Sequence, residues 1–302
     1  MKTKITCLTL AVSLTALPAL LQAQPTAHYV PGVEGIKGAS LPPPGWYARD
    51  YNYFYTADQV NDSSGNKVGA ADLDAFTYAN IPRLIWITDK QFLGGFIGVD
   101  ALLPLVYQQA SANTPGGPFN GKTFGVGDFF AEGTLSWHVK QFDFSAACGL
   151  WMPTGRSPSN PGPTTQPGLG YWAPMLTAGA TWYVDAEKTW SVSALNRYEF
   201  NTEQRYTHVT PGQAYTLEWG VSKTLKKVID VGAVGYFQKK VTGDSGAAAY
   251  EKPLDRVAAV GPEISAAFPN QMFFVSLRYL YEFSAENRAQ GQAFTLTLTK
   301  RL

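Results

Sequence analysis

Cysteine is almost absent: Cys7 and Cys148 are the two in 302 residues, which excludes a disulfide framework and any multi-cysteine metal site. Histidine is as scarce, and His28, His138 and His208 are too scattered to give metal-ligand spacing. Charge is sparse and balanced, with 24 Lys and Arg against 23 Asp and Glu, so no basic surface marks a nucleic-acid binder. After the first two dozen residues nothing approaches the roughly eighteen consecutive apolar residues of a helical membrane span. The Gly-rich stretches lack the strand-to-helix context of a phosphate loop. No metal and no cofactor is therefore expected.

The N-terminus has the form of a signal peptide. Lys2 and Lys4 precede an uncharged stretch from Ile5 to Leu21 that carries Pro18, and Ala23 offers a cleavage point, so residues 1–23 are assigned to export. Cys7 leaves with them. The mature chain loses two lysines and carries a charge of about −1. Cys148 alternates with Phe142, Phe144, Ala146 and Leu150, which makes it a small lipid-facing residue rather than a reactive thiol.

What the chain does have is alternation. Aromatics make up 14% of residues while the mean hydropathy is only −0.12, because apolar and polar positions take turns. A strand crosses lipid only when its backbone is paired on both sides in a closed barrel, and its faces then alternate between lipid and lumen. Leu93, Ile97, Val99, Leu103, Leu105 and Tyr107 share a face opposite Asp100. Phe129, Ala131, Leu135 and Trp137 oppose Asp128, Glu132, Thr134 and Ser136. Trp172, Leu176, Trp182 and Val184 oppose Thr177 and Thr181, and Trp190, Val192, Tyr198 and Phe200 oppose Arg197 and Glu199. Tyr215, Leu217 and Trp219 oppose Glu218; Phe273, Val275, Leu277 and Tyr279 oppose Arg278 and Glu282; Phe294, Leu296 and Leu298 oppose three threonines. In the first strand Tyr47, Tyr51, Tyr53 and Tyr55 are assigned to lipid, and Ala48, Asp50 and Asn52 to the lumen. Faces cannot be assigned around Pro82, read as marking a bulge, or in the strand bearing Tyr236, Gln238 and Lys240.

Strands are placed at 45–57, 71–88, 91–108, 123–139, 141–153, 169–184, 188–203, 211–225, 227–242, 254–268, 271–284 and 291–302. Short turns at Asp89-Lys90, Lys140, Ala186-Glu187, Lys226 and Pro269-Asn270 alternate with longer loops at 58–70, 109–122, 154–168 and 243–253. The expected fold is therefore all-β, a transmembrane antiparallel up-and-down barrel of about twelve strands over residues 45–302, with both ends in the periplasm. Residues 24–44, rich in Gly and Pro, are either a periplasmic leader or a plug.

Several short motifs resemble one family. Val33-Glu34-Gly35-Ile36-Lys37-Gly38, Leu41-Pro42-Pro43-Pro44-Gly45, Gly127-Asp128 with Leu135 and Trp137, Pro153-Thr154-Gly155 and Tyr198-Glu199-Phe200-Asn201 together resemble the MetA-pathway phenol-degradation family. The resemblance runs from about His28 to the end, and implies an outer-membrane barrel described as a transporter and encoded near genes for breakdown of aromatic compounds. Phenol itself is implied by that association alone. The chain departs from the usual aromatic barrel terminus, ending in Leu302.

The candidate solute path is the inward-facing charge: Asp50, Asp100, Asp128, Glu132, Arg197, Glu199, Glu218, Glu263, Arg278 and Glu282. These residues either fill a narrow barrel as a structural network of ion pairs and hydrogen bonds, or form an acidic, hydroxyl-rich path that disfavours anions. The expected function is passive uptake of small hydrophobic or aromatic molecules across the bacterial outer membrane. Exit runs either along the bore or sideways at a ladder broken by Pro104, Pro174 or Pro262. Expected partners are outer-membrane lipid and lipopolysaccharide around the wall, the barrel assembly machinery, and the solute; nucleic acid is excluded. The rival readings are a lipase-like barrel enzyme, for which Ser136 and His138 share a face without the His-x-Ser order, and a purely structural surface barrel.

Overall fold

A computed structural model describes residues 26–114, 117–159, 164–246 and 253–302. The assigned signal peptide, residues 1–23, lies outside the described residues. The wall begins with β1 (Gly45–Val60) and β2 (Asp74–Phe92), followed by β3 (Gly95–Leu102), β4 (Leu105–Thr114), β5 (Gly117–Val126) and β6 (Phe129–Val139). It continues through β7 (Phe142–Met152), β8 (Ala173–Tyr183), β9 (Trp190–Glu199), β11 (Ala214–Leu225), β12 (Ile229–Lys240), β14 (Arg256–Phe268), β15 (Phe273–Glu286) and β16 (Ala289–Arg301). Two short strands, β10 (Val209–Thr210) and β13 (Ser245–Gly246), pair with each other apart from the wall.

All pairings are antiparallel, and β1 bonds to both β2 and β16, which closes the sheet. β3 with β4, and β5 with β6, are each one wall strand interrupted by a two-residue step at Leu103-Pro104 and Gly127-Asp128, so the barrel has twelve strands. Closure supplies partners where lipid supplies none, except, among the described residues, along the second edge of β5.

Alternation sorts the faces as expected from β3 to β16. Asp100, Glu132, Thr181, Glu199, Glu218 and Glu282 are buried inside, while Val99, Trp182, Trp190 and Phe294 are exposed outside. The strand with undecided faces, β12, turns Val234, Tyr236, Gln238 and Lys240 inward. Pro82 marks no bulge: the β1–β2 register runs unbroken from Gly45↔Ile87 to Ala57↔Ala75, and the register shifts fall elsewhere. The first short turn lies at Leu93-Gly94, not at Asp89-Lys90, and β4 and β5 extend the strands through most of the loop expected at 109–122.

β1 is the principal correction. Tyr47, Tyr51 and Tyr53 are 2%, 2% and 6% exposed and face the lumen, whereas Trp46 and Phe54 face lipid and Asp50 lies on their side. The reason is the phenol hydroxyl, which needs a partner once it leaves water. Tyr51 Oη donates to Glu34 at 2.7 Å and Tyr55 Oη to Glu282 at 2.8 Å, both inside. Asp50, four residues or about 13 Å of strand from Trp46, is satisfied on the outer face by Asn52 Nδ2 and Asn80 Nδ2, each at 2.8 Å. It therefore lines no lumen.

Cys148 is exposed on the lipid-facing side of β7. In a reconstituted bilayer it should react with an apolar maleimide and resist a charged one; equal labelling by both would place this face in water.

Candidate functional site: a plugged lumen with a side gap

Residues 26–44 occupy the lumen. Ala27, His28, Tyr29, Val33 and Ala39 are buried, and the segment forms no helix or strand. Its backbone donors consequently need partners from the wall. Glu199 accepts from His28 N at 3.0 Å and Tyr29 N at 2.9 Å. Glu218 accepts from Gly32 N at 2.6 Å and from Tyr29 Oη at 2.5 Å. Glu263 accepts from Ile36 N at 2.9 Å, and Arg278 Nη1 donates to Gly32 O at 2.5 Å. Asp128 meets His28 Nε2 at 3.1 Å while also accepting from Gly155 N and Leu169 N.

Close approach explains Gly35 of the Val33-Glu34-Gly35-Ile36-Lys37-Gly38 motif and Gly32 just ahead of it. A Cβ at Gly35 would stand 1.8 Å from Glu263 Oε2, and Gly32 combines a φ of +84° with a 2.5 Å clash against Leu280 Cδ1.

The buried charges pair with one another as well as with the plug. Arg83 bridges Asp100 at 2.8 Å, Glu132 at 2.7 Å and the plug's Glu34 at 3.0 Å. Arg197 bonds Glu218 at 2.9 Å with its guanidinium 4.0 Å from the Tyr29 ring, and Arg278 bonds Glu263 at 2.9 Å. Of the ten residues read as a solute path, nine lie inside and Asp50 lies outside. All nine contact the plug or pair with an arginine that does: Glu282, which takes the hydroxyls of Tyr55 and Tyr236, also lies 4.0 Å from Arg288, whose Nη1 donates to Thr26 Oγ1. Arg83 and Glu34 escaped the sequence reading, although outward Leu84 and Trp86 would have placed Arg83 inward by simple alternation.

Spaces remain around the plug. An outer vestibule of about 190 Å³ includes Tyr53, Tyr55, Tyr171, Tyr236 and Arg288. It adjoins an inner cavity of about 120 Å³, with which it shares Val30, Tyr53, Thr77, Gln108 and Leu169; the inner walls are chiefly apolar, from Ala79, Ile81, Val106, Phe130 and Met175. On the periplasmic side lies a polar slot of about 50 Å³ bounded by Ser40, Arg83, Thr134, Ser145 and Thr177. Five buried polar atoms on residues of the inner cavity have no hydrogen-bond partner: His28 Nδ1, Glu132 Oε2, Trp151 Nε1, Gln166 Oε1 and Arg197 Nε.

The inner cavity reaches a gap in the wall. β7 ends at Met152, opposite Phe129, so among the described residues β5 has no strand on its second edge. The loop after β7 partly covers that edge, with Thr165 Oγ1 2.9 Å from Thr123 Oγ1 and Pro167 against Gly125. Pro104, Gln166 and Pro167 at the gap all line the inner cavity. Pro104 marks the break, whereas Pro174 and Pro262 sit in continuous ladders opposite Leu150 and Ala233.

The hydrolase constellation does not assemble. His138 Nδ1 is 2.8 Å from Asp143, and Ser136 Oγ has no hydrogen-bond partner. No group of three or more His, Cys, Asp or Glu capable of holding a metal occurs among the described residues.

A closed barrel with a lumen segment and cavities beside it defines an outer-membrane channel-like protein. The chain belongs to the MetA-pathway of phenol degradation family, whose model matches residues 57–298. Its fold is similar to an outer membrane channel from Pseudomonas putida F1, at 14% identity over 91% of this chain and 100% of that one, with a TM-score of 0.75. The transport unit of the autotransporter AIDA-I from Escherichia coli matches at 9% identity over 97% of each chain, with a TM-score of 0.51. No curated protein matches the sequence.

Glu218→Ala leaves Arg197, Tyr29 Oη and Gly32 N unpaired, and should destabilise the barrel by about 3–5 kcal/mol, read as a lower unfolding temperature in detergent. Glu203→Ala, on the exposed outer loop beside His208, should change nothing measurable.

Proposed function

We propose that this protein admits small, neutral, largely apolar solutes of about one aromatic ring through the outer surface and releases them sideways through the wall. The observation that carries the reading is the inner cavity, ring-sized and chiefly apolar, ending at the unpaired edge of β5. An apolar cavity of roughly 150 Å³ accepts a benzene ring, and the adjoining vestibule and cavity, at about 190 and 120 Å³, bracket that size.

Straight passage is disfavoured on physical grounds. Below the cavity the plug is tied to the wall, and the next space is a polar slot beside the Arg83–Asp100–Glu132 cluster, where an apolar solute gains nothing. The side route keeps it on apolar surface. Partnerless Trp151 Nε1 and Gln166 Oε1 offer one donor and one acceptor to a ring substituent, which favours a substituted ring over a bare hydrocarbon. The inward carboxylates serve this function indirectly, by holding the plug that closes the axial way.

The test uses cells with an intact lipopolysaccharide layer, because neutral aromatics cross plain phospholipid unaided. Expression should raise uptake of a labelled single-ring aromatic about tenfold and leave sugar uptake unchanged. Ala79→Phe, which fills the inner cavity, should abolish the gain. Unchanged aromatic uptake, or liposome swelling with small sugars, would overturn the reading.

A further inference from the structure

Two neighbouring periplasmic turns gather four lysines. Trp190 of β9 pairs with Lys223 of β11, which sets the β8–β9 turn beside the β11–β12 turn. The first carries Lys188, and the second carries Lys226 and Lys227 just beyond Lys223.

Backbone conformation shows that lysine is not the easiest residue here. Lys188, Lys226 and Lys227 have φ of +55°, +49° and +63°, a left-handed conformation that Gly or Asn adopts with less strain. Nor do neighbouring acids explain the charge. Among the described residues the lysine ion pairs are Lys37–Asp230 and Lys240–Asp244; Asp230 stands opposite Thr224 beside the second turn, but both its oxygens are taken by Lys37 of the plug. Asp185 is taken by its own turn, accepting from Thr189 Oγ1 at 2.5 Å and Trp190 N at 2.7 Å, bonds that hold its carboxyl down to about 2. Glu187, exposed on the first turn, is the remaining acid.

Immediately above the lysines the wall is apolar. Trp182, Trp190, Val192, Val221 and Leu225 are exposed on the lipid side, and Lys223 lies on that face with its Nζ 5.0 Å from the Trp190 ring. Cationic groups at the end of an apolar strip, at the depth of an interfacial tryptophan, match an amphiphile with an anionic head and acyl tails.

We propose that these two turns form a headgroup site for an anionic phospholipid of the inner leaflet. Lys226 and Lys227 take the phosphate, Lys223, which also donates to Thr189 Oγ1 at 2.6 Å, meets it from the lipid face, and the tails lie along Trp190, Val192 and Val221; Lys188, its Nζ 4.7 Å from the ring of inward-facing Tyr183, adds charge beside the head. The site lies on the outer wall and is independent of the solute route.

Spin resonance of the reconstituted full chain would test it, comparing spin-labelled phosphatidylglycerol with spin-labelled phosphatidylcholine as boundary lipid. The native chain should prefer phosphatidylglycerol about fivefold or more at low salt, and the preference should fall as salt screens it. K188N, K226N and K227G with K223Q should erase it; the three turn substitutions relax the backbone, so folding is retained. The fourfold Lys→Arg variant should keep it. No preference in the native chain, or a preference that survives the neutral variant, would overturn the proposal. So would a preference abolished by inorganic phosphate but not by chloride of equal ionic strength, which would mark a free-phosphate site. Lysine-dependent capture of peptidoglycan without lipid preference would also reject it.

Discussion

A backbone amide in a membrane must find its partner within the protein, and this constraint organises the whole chain. The wall meets it by closing, with β1 bonded on both sides. Residues 26–44 cannot meet it alone, since they form neither helix nor strand. The buried carboxylates Glu199, Glu218 and Glu263 act as side-chain acceptors for that irregular backbone. Charges that would be costly in an empty narrow barrel thus gain a structural role, with arginines holding their remaining oxygens.

The same constraint locates the weak point. Where β7 stops, β5 is left without a second strand among the described residues, and a Pro- and Gly-rich loop approaches its edge. An unpaired edge is a liability in lipid unless something covers it or uses it. In the proposed function the inner cavity opening toward this edge gives it a use, and the polar slot below gives an apolar solute no reason to continue downward.

Much of the architecture was legible because period-two alternation is imposed by the bilayer. The strand number, the inward set from Asp100 to Glu282 and the lipid-facing Cys148 follow from it. β1 was misread because tyrosine satisfies two environments: interfacial belts and buried hydroxyl pairing. Tyr51 and Tyr55 take the second, bonding Glu34 and Glu282. Asp50 misled for the converse reason, as a carboxylate capped by Asn52 and Asn80 can remain outside. The plug's attachment was hidden because its acceptors lie some 170 to 230 residues away in sequence. The gap depends on where β7 ends relative to β5, a matter of register that local composition does not encode. The candidate site was therefore visible as a set of charges, but not as a clasp.

The central claim is that a single-ring solute rests in the apolar cavity beside the plug, next to the gap. The most direct measurement is a crystal structure with a bromine-substituted single-ring compound, located by anomalous scattering. The account predicts a bromine peak among Tyr53, Ile81 and Phe130, within the space that reaches Pro104 and Pro167. A peak confined to the polar slot at Thr134 and Thr177, or an empty cavity at saturating compound, would contradict it.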